Sequence, residues 1–144
     1  KIIAVYNIKG GVGKTSTSVN LAYTIAKDGF NTLIVDLDPQ GASTYYFKAQ
    51  AKLKGKTKKI LATKKDISES IIATDYSNLD ILPADPSYRK IDFIIEDLKG
   101  GDKWLKRMLK PVKKAYDFVI LDCPPNVTNL SENVFKNDTS KCQL

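Results

Sequence analysis

The sequence predicts an α/β fold of the doubly wound kind, a mostly parallel sheet with helices on both faces, and three observations carry that prediction. Short runs rich in Ile, Val and Leu recur at residues 1–7, 32–36 and 118–121. They are too uniformly apolar for a half-exposed strand and too short for a helix, which marks strands buried on both faces. Stretches with helical spacing of apolar residues lie between them. A glycine-rich loop separates the first run from the first helical stretch, so strand, loop, helix and strand follow one another as in a βαβ unit with parallel strands. With 144 residues, 42% of them hydrophobic, the chain is expected to form one domain over residues 1–144.

The elements follow in order. Lys-Ile-Ile-Ala-Val-Tyr-Asn over residues 1–7 is the first strand, stopped by the glycines of the loop. From Lys14 the pattern turns helical, with Val19, Ala22, Tyr23 and Ala26 on one face, and Gly29 after Asp28 supplies the stop. Residues 32–36 are the second strand. Asp66 and Glu69, three positions apart, resemble a capping box that opens a short helix through Ile67, Ile71 and Ile72. Leu79 to Leu82 reads as a strand stopped by Pro83. Tyr88, Ile91, Ile94, Ile95 and Leu98 have helical spacing, broken by Gly100-Gly101, and Trp104, Leu105, Met108, Leu109 and Val112 repeat it until Pro111 kinks or ends the helix. Residues 118–121 form a further buried strand that delivers Asp122 at its carboxyl end, before Pro124-Pro125. Residues 131–144 are polar and weakly patterned, and an irregular tail is expected there.

Charge and cysteine usage narrow the function. No apolar run reaches the ~18 to 20 residues of a membrane-crossing helix, and no signal-type segment precedes the first strand, so a soluble cytoplasmic protein is expected. Cys123 and Cys142 lack CxxC spacing and the chain has no histidine, so neither a zinc site nor a disulfide framework is implied. Serine or cysteine nucleophile chemistry lacks a histidine base for the same reason. The net charge of +7 is local: seven lysines (Lys52, Lys54, Lys56, Lys58, Lys59, Lys64 and Lys65) stand in one stretch without an acid. Such a run is most simply a solvated loop, with a contact to DNA phosphates as its functional alternative.

The chemistry concentrates at Lys9-Gly10-Gly11-Val12-Gly13-Lys14-Thr15, followed by Ser16. A phosphate needs many donors at close range, and Gly10, Gly11 and Gly13 let successive backbone N–H groups point inward. The helix starting near Lys14 adds its unpaired amides and positive dipole end. Lys14 reaches the β and γ phosphates, and the Thr15 hydroxyl suits Mg²⁺, which takes hard oxygen ligands. In the standard motif G-x-x-x-x-G-K-[ST] the first glycine falls at Ile8, where this chain departs from the pattern and places a second lysine, Lys9, next to the glycines. Asp36 and Asp122 end buried strands. Asp38, two residues beyond Asp36, shares its strand face if the strand continues.

This loop resembles the deviant Walker A motif of the ParA/MinD family of P-loop ATPases. Leu33-Ile34-Val35-Asp36-Leu37-Asp38-Pro39-Gln40-Gly41 resembles that family's second motif, and Phe118-Val119-Ile120-Leu121-Asp122-Cys123-Pro124-Pro125 resembles its Walker B strand. Leu82-Pro83-Ala84 stands where the ParA, Soj-like branch has such a tripeptide. The resemblance implies a P-loop NTPase fold whose C-terminal half is incomplete in this chain, ending soon after the Walker B strand. It implies binding of ATP or ADP with Mg²⁺ through Lys9, Gly10, Gly11, Val12, Gly13, Lys14, Thr15 and Ser16. Lys9 is implied to reach the ATP of a partner subunit in an ATP-dependent homodimer. Asp38 is implied to position the attacking water, with Thr15, Asp36 and Asp122 supporting the metal. The implied process is plasmid or chromosome partition by a slow ATPase that works with a ParB-type centromere-binding partner. Nonspecific DNA is the implied surface, met by the lysine-rich residues 52–65 or by a C-terminal face outside this chain, with nucleoid association in the cytoplasm. The alternatives are a MinD-like positioning ATPase on a membrane, for which no amphipathic C-terminal helix is evident, a biosynthetic relative with the same signature, and a nucleotide-binding module without turnover.

Overall fold

The computed structural model describes residues 1–49, 67–98, 100–126, 128–136 and 140–143. The lysine run at 52–65 and the Asp66 half of the expected capping box lie outside them. Among the described residues six strands form one sheet in the order β3-β4-β2-β5-β1-β6. They are β1 (Ile2–Tyr6), β2 (Thr32–Asp36), β3 (Ile72–Ala73), β4 (Leu79–Leu82), β5 (Phe118–Asp122) and β6 (Ser140–Gln143). All pairings are parallel except β3 with β4.

Alternation along each strand sends its side chains to two cores, which is why the runs carry apolar residues at every position. Ala4, Leu33, Val35, Val119 and Leu121 face one way, into a cluster closed by α3 (Ile91–Asp97), α4 (Trp104–Leu109) and α5 (Asn129–Lys136). Val5, Ile34, Ile81 and Ile120 face the other way, onto Ala22 and Ala26 of α1 (Lys14–Lys27) and onto Phe47 after α2 (Ala42–Tyr46). The doubly wound prediction is therefore met. On α1 the buried stripe is Lys14, Ser18, Ala22 and Ala26, rotated from the expected face. Tyr23 is 39% exposed and rests edge-on against Tyr76 instead. Small residues at a four-residue spacing let the helix axis approach the sheet closely, a signal that counting large apolar side chains overlooks.

Three local expectations are corrected. Ile67–Ser70 is a single 3-10 turn, and Ile72 leaves it to join β3 as an antiparallel edge, paired with Ile81. The helix expected from Tyr88 begins as a 3-10 turn at Pro86–Lys90, capped by the Asp85 side chain on the Ser87 amide at 2.8 Å, before α3 takes over. Where an irregular tail was expected over 131–144, the described residues are regular: α5 covers Asn129–Lys136 and β6 extends the sheet beside β1. The polar residues that hid this helix serve as anchors. The Leu130 amide donates to Asp92 Oδ1 at 3.0 Å, and the Asn133 side chain accepts the Leu105 amide at 3.3 Å. No helix among the described residues is long and apolar enough to cross a membrane.

Candidate functional site

The parallel strands β1, β2 and β5 bring the three predicted motifs to one carboxyl edge, where open α/β sheets hold ligands. Between β1 and α1 the backbone bends through Gly11 and Gly13, with φ of 73° and 89°. A β-carbon on Gly10, Gly11 or Gly13 would meet no atom within 4 Å. The glycines therefore frame open space instead of a packed turn. The loop is pinned at its root by Asn7 Oδ1, which accepts the Lys9 amide at 2.8 Å. Gly13 is the N-cap residue of α1, which has no side-chain cap and no acid in its first turn. The helical ladder starts with the Thr17 amide on the Gly13 carbonyl at 2.8 Å. Earlier amides and the positive end of the helix are thus left for an anion. Lys14, only 8% exposed, folds back so that Nζ donates to the Lys9 carbonyl at 3.2 Å. A buried ammonium with a neutral acceptor is electrostatically prepared for a phosphate.

Asp36 and Asp122 are register partners, both buried, yet they are held differently. Asp122 gathers hydroxyls. Ser43 Oγ donates to its Oδ2 at 2.6 Å, Ser18 Oγ donates to its Oδ1 at 3.1 Å, and Thr15 supplies a third side-chain bond. Burial raises its pKa, these bonds oppose the rise, and the charge of Asp38 adds to it. Asp36 instead holds the turn that follows β2. Its Oδ1 accepts the Asp38 amide at 3.2 Å, and its Oδ2 accepts the Thr44 amide at 2.8 Å and the Thr44 hydroxyl at 2.7 Å. Burial pushes its carboxyl up to about 6, against the lowering effect of the Thr44 bonds.

The strand ends at Asp36, so Asp36 and Asp38 do not share a strand face. Asp38 opens a tight turn, with its Oδ1 on the Gln40 amide at 2.9 Å and its carbonyl on the Gly41 amide at 2.9 Å. Both oxygens of Asp36 accept bonds, from the Asp38 amide and from the Thr44 amide and hydroxyl, just as both oxygens of Asp122 accept bonds from hydroxyls. Lys9, Gly10, Gly11, Gly13 and Ser16 lie exposed along the loop, while Val12 and Thr15 are half-buried. Thr15 and Asp122 fit magnesium by donor chemistry, being a hydroxyl and a carboxylate at the foot of an open phosphate cradle. Among the described residues no cluster of three or more His, Cys, Asp or Glu could hold a metal by itself.

This arrangement is the geometry of a P-loop, and a family model described as an AAA domain matches residues 1–140. The chain belongs to this family. Within the AAA domain family it stands with the ParA/MinD-type P-loop ATPases, on their Soj/ParA side. It is 40% identical to the sporulation initiation inhibitor protein Soj of Bacillus subtilis over 134 residues, which are 92% of this chain and 53% of Soj. A plasmid partition protein from Borrelia burgdorferi superposes with a TM-score of 0.78 at 30% identity, over 98% of this chain and 64% of that one. Cobyrinic acid a,c-diamide synthase from Mycobacterium smegmatis, solved with an ATP analogue and magnesium, gives a TM-score of 0.83 at 32% identity, over 92% and 55% of the two chains. The chain spans about half the length of the curated relatives it matches.

Sequence reasoning missed three residues of this AAA domain site: Ser18, Ser43 and Thr44. Ser18 was legible in principle, since it lies one helical turn after Lys14 on the same buried stripe. Ser43 and Thr44 became visible only once α2 was seen to fold back over the strand ends. Thr44 also explains the Leu82-Pro83-Ala84 tripeptide, because the Ala84 amide donates to Thr44 Oγ1 at 2.8 Å and ties β4 to the second motif. Cys123 is no nucleophile. Burial pushes its thiol up to about 12, with the neighbouring Asp122 charge adding to the rise.

Proposed function

We propose that this chain is the nucleotide-gripping part of a ParA-like partition ATPase, a switch that ATP closes into a dimer and that slow hydrolysis reopens. The observation that carries the reading is the uncapped α1 behind an open glycine loop, with Lys14 folded into it and Asp122 beneath, held by hydroxyls. In this reading Gly10, Gly11, Val12, Gly13, Lys14, Thr15 and Ser16 hold the phosphates of ATP or ADP through backbone amides and the Lys14 ammonium. Thr15 and Asp122 hold magnesium and its waters, and magnesium bound there neutralises charge on the phosphate oxygens. Asp36 serves the site indirectly, by fixing the turn that carries Asp38.

Asp38 keeps one carboxylate oxygen off the Gln40 amide, which allows it to orient a water for attack on the γ phosphate. Lys9 is exposed at the lip of the loop. There its ammonium projects toward a second subunit, where a cation placed against a triphosphate stabilises charge spread in the transition state. A DNA surface and a ParB-type activator complete the cycle, and the molecule works in the cytoplasm on the nucleoid.

The test is ATP turnover with and without DNA, together with molecular size in ATP, for the native chain and for Lys14→Ala. Turnover and ATP-dependent dimerisation that both vanish in Lys14→Ala support the reading. Turnover that survives the substitution sinks the P-loop mechanism, and tight ATP binding without turnover or dimer identifies a binding module instead.

A further inference from the structure

α2 spans five residues, too few to stand as a helix without tertiary support. Its support comes from both ends and from the middle. Gly41 opens it with φ of 68°, and Phe47 ends it inside the core cluster that holds Ala22 and Ile34. Between them Thr44 ties it to Asp36 and to the Ala84 amide. Ser43 sits among these anchors and is fully buried. A helical serine commonly satisfies its hydroxyl on a nearby backbone carbonyl. Ser43 instead donates to Asp122 Oδ2, 79 residues away in sequence, at 2.6 Å. That length falls in the range of about 2.5 to 2.7 Å that marks a hydroxyl bonded to an ionised oxygen.

The hydroxyls that reach Asp122 come from two elements. Ser18 and Thr15 stand on α1, the helix that carries the phosphate loop, and Ser43 stands on α2. The division matters for direction. A carboxylate held through one oxygen can swivel about its broad terminal torsion. With Oδ1 on Ser18 and Oδ2 on Ser43, the plane of the Asp122 carboxylate is set. These donors are also neutral. An arginine or lysine would hold the carboxylate as firmly and cancel its charge, whereas hydroxyls leave that charge for a cation. A carboxylate has about four lone-pair sites, so three hydroxyl donors leave about one. One remaining acceptor suits magnesium, which keeps several of its waters and can present one of them there.

We propose that Ser43 is a positioning residue for magnesium, orienting Asp122 and thereby setting how strongly the metal tightens nucleotide on the loop, a role that rests on the magnesium reading of Asp122. Ser43 acts through Asp122 in the way of outer-shell partners of metal sites, whose removal costs about 10- to 100-fold in metal affinity or activity. A hydroxyl that served stability alone would lower the melting temperature on removal and leave the contribution of the metal unchanged.

The experiment measures binding of a hydrolysis-resistant ATP analogue by calorimetry, in EDTA and in saturating Mg²⁺, for the native chain, Ser43→Ala, Ser43→Cys and Phe47→Leu. The ratio of the two affinities is the tightening due to the metal. In Ser43→Ala the affinity in EDTA should stay within about threefold of native while the tightening falls about tenfold or more. Ser43→Cys fills nearly the same space with a weak donor, so it should lose most of the tightening even where Ser43→Ala loosens the fold. Phe47→Leu weakens the anchor of α2 in the core without touching a carboxylate. It should lower the melting temperature and keep the tightening. Unchanged tightening in both Ser43 variants, beside clear tightening in the native chain, overturns the Ser43 role alone. An equal loss of affinity in EDTA and in magnesium also overturns it, as does a loss of tightening in Phe47→Leu as large as that in Ser43→Ala. A native chain that binds the analogue equally in EDTA and in magnesium, or in neither, overturns the magnesium reading and the Ser43 role with it.

Discussion

Thr44→Val keeps the shape of a half-buried side chain and removes one hydroxyl, and the structure predicts a pH-dependent penalty for it. Thr44 Oγ1 donates to Asp36 Oδ2 at 2.7 Å and accepts the Ala84 amide at 2.8 Å. Losing a hydrogen bond to a charged acceptor costs about 1.5 to 3 kcal/mol, and leaving an amide unpaired costs about 1 to 3. Thr44 and Ala84 are only half-buried, so the lower end of the sum, about 3 kcal/mol, is expected near neutral pH. Asp36 sets the sign of the pH dependence. Its folded pKa lies at about 6, above the 3.8 usual for an aspartate, chiefly because of burial. The stability this group contributes is therefore present below the unfolded value and lost as pH rises through the folded one, about 3 kcal/mol in all. Removing the Thr44 hydroxyl raises the folded pKa further and extends that loss to higher pH. The penalty should then be largest near pH 7.5 and shrink to about 1 to 2 kcal/mol near pH 4, where the Ala84 amide is the main casualty. Urea unfolding at the two pH values measures it. A penalty that is equal at both, or below about 0.5 kcal/mol near pH 7.5, refutes the Thr44–Asp36 coupling.

Asp38→Ala should bind ATP and dimerise normally while turnover falls about 100-fold or more, and normal turnover in that variant moves water positioning elsewhere. Lys9→Ala should leave nucleotide affinity nearly intact and abolish dimer-dependent turnover, whereas unchanged turnover removes the cross-subunit role. Lys14→Ala should weaken ATP binding by about 2 to 5 kcal/mol in calorimetry, because a buried charge partner of the phosphates is deleted. Gly101→Ala should destabilise the fold by about 3 kcal/mol or more, since its β-carbon would run into the Ile95 carbonyl and force α3 off the following turn. A melting temperature close to that of the native chain would show the turn to be more yielding.

The central strands were legible because burial on both faces leaves one composition available to them, and β1, β2 and β5 are nearly unbroken apolar runs. β3, β6 and α5 were not. An edge strand such as Ile72–Ala73 satisfies its backbone on one side only and is too short to show alternation. α5 buries Ser131 and Asn133 beside Leu130 and Val134, so its inward face is half polar and defeats a search for apolar periodicity. Those polar groups are stable inside because each has a partner, Ser131 bonding Thr128 locally and Asn133 taking the Leu105 amide from a distant part of the chain. Sequence spacing carries no trace of such long-range satisfaction.

The same limit divides the site. Local geometry needs local signals, and the glycines with Lys14 and Thr15 announce a phosphate loop because every part of it is contiguous. The carboxylates were recognisable as residues, yet their division of labour was not. Asp36 and Asp122 end adjacent strands in register and have equal burial, so composition gives no reason to separate them. Hydroxyls separate them, and these arrive from α1 and from α2, with Ser43 standing 79 residues from Asp122 in sequence. Because Ser43 and Thr44 are consecutive, one turn of α2 grips both carboxylates at once, Asp122 through Ser43 and Asp36 through Thr44. A displacement of that turn cannot alter one carboxylate without altering the other. The Asp38 turn is thereby mechanically coupled to the floor of the phosphate cradle, the linkage a switch needs if a change at the γ phosphate is to be felt outside the loop.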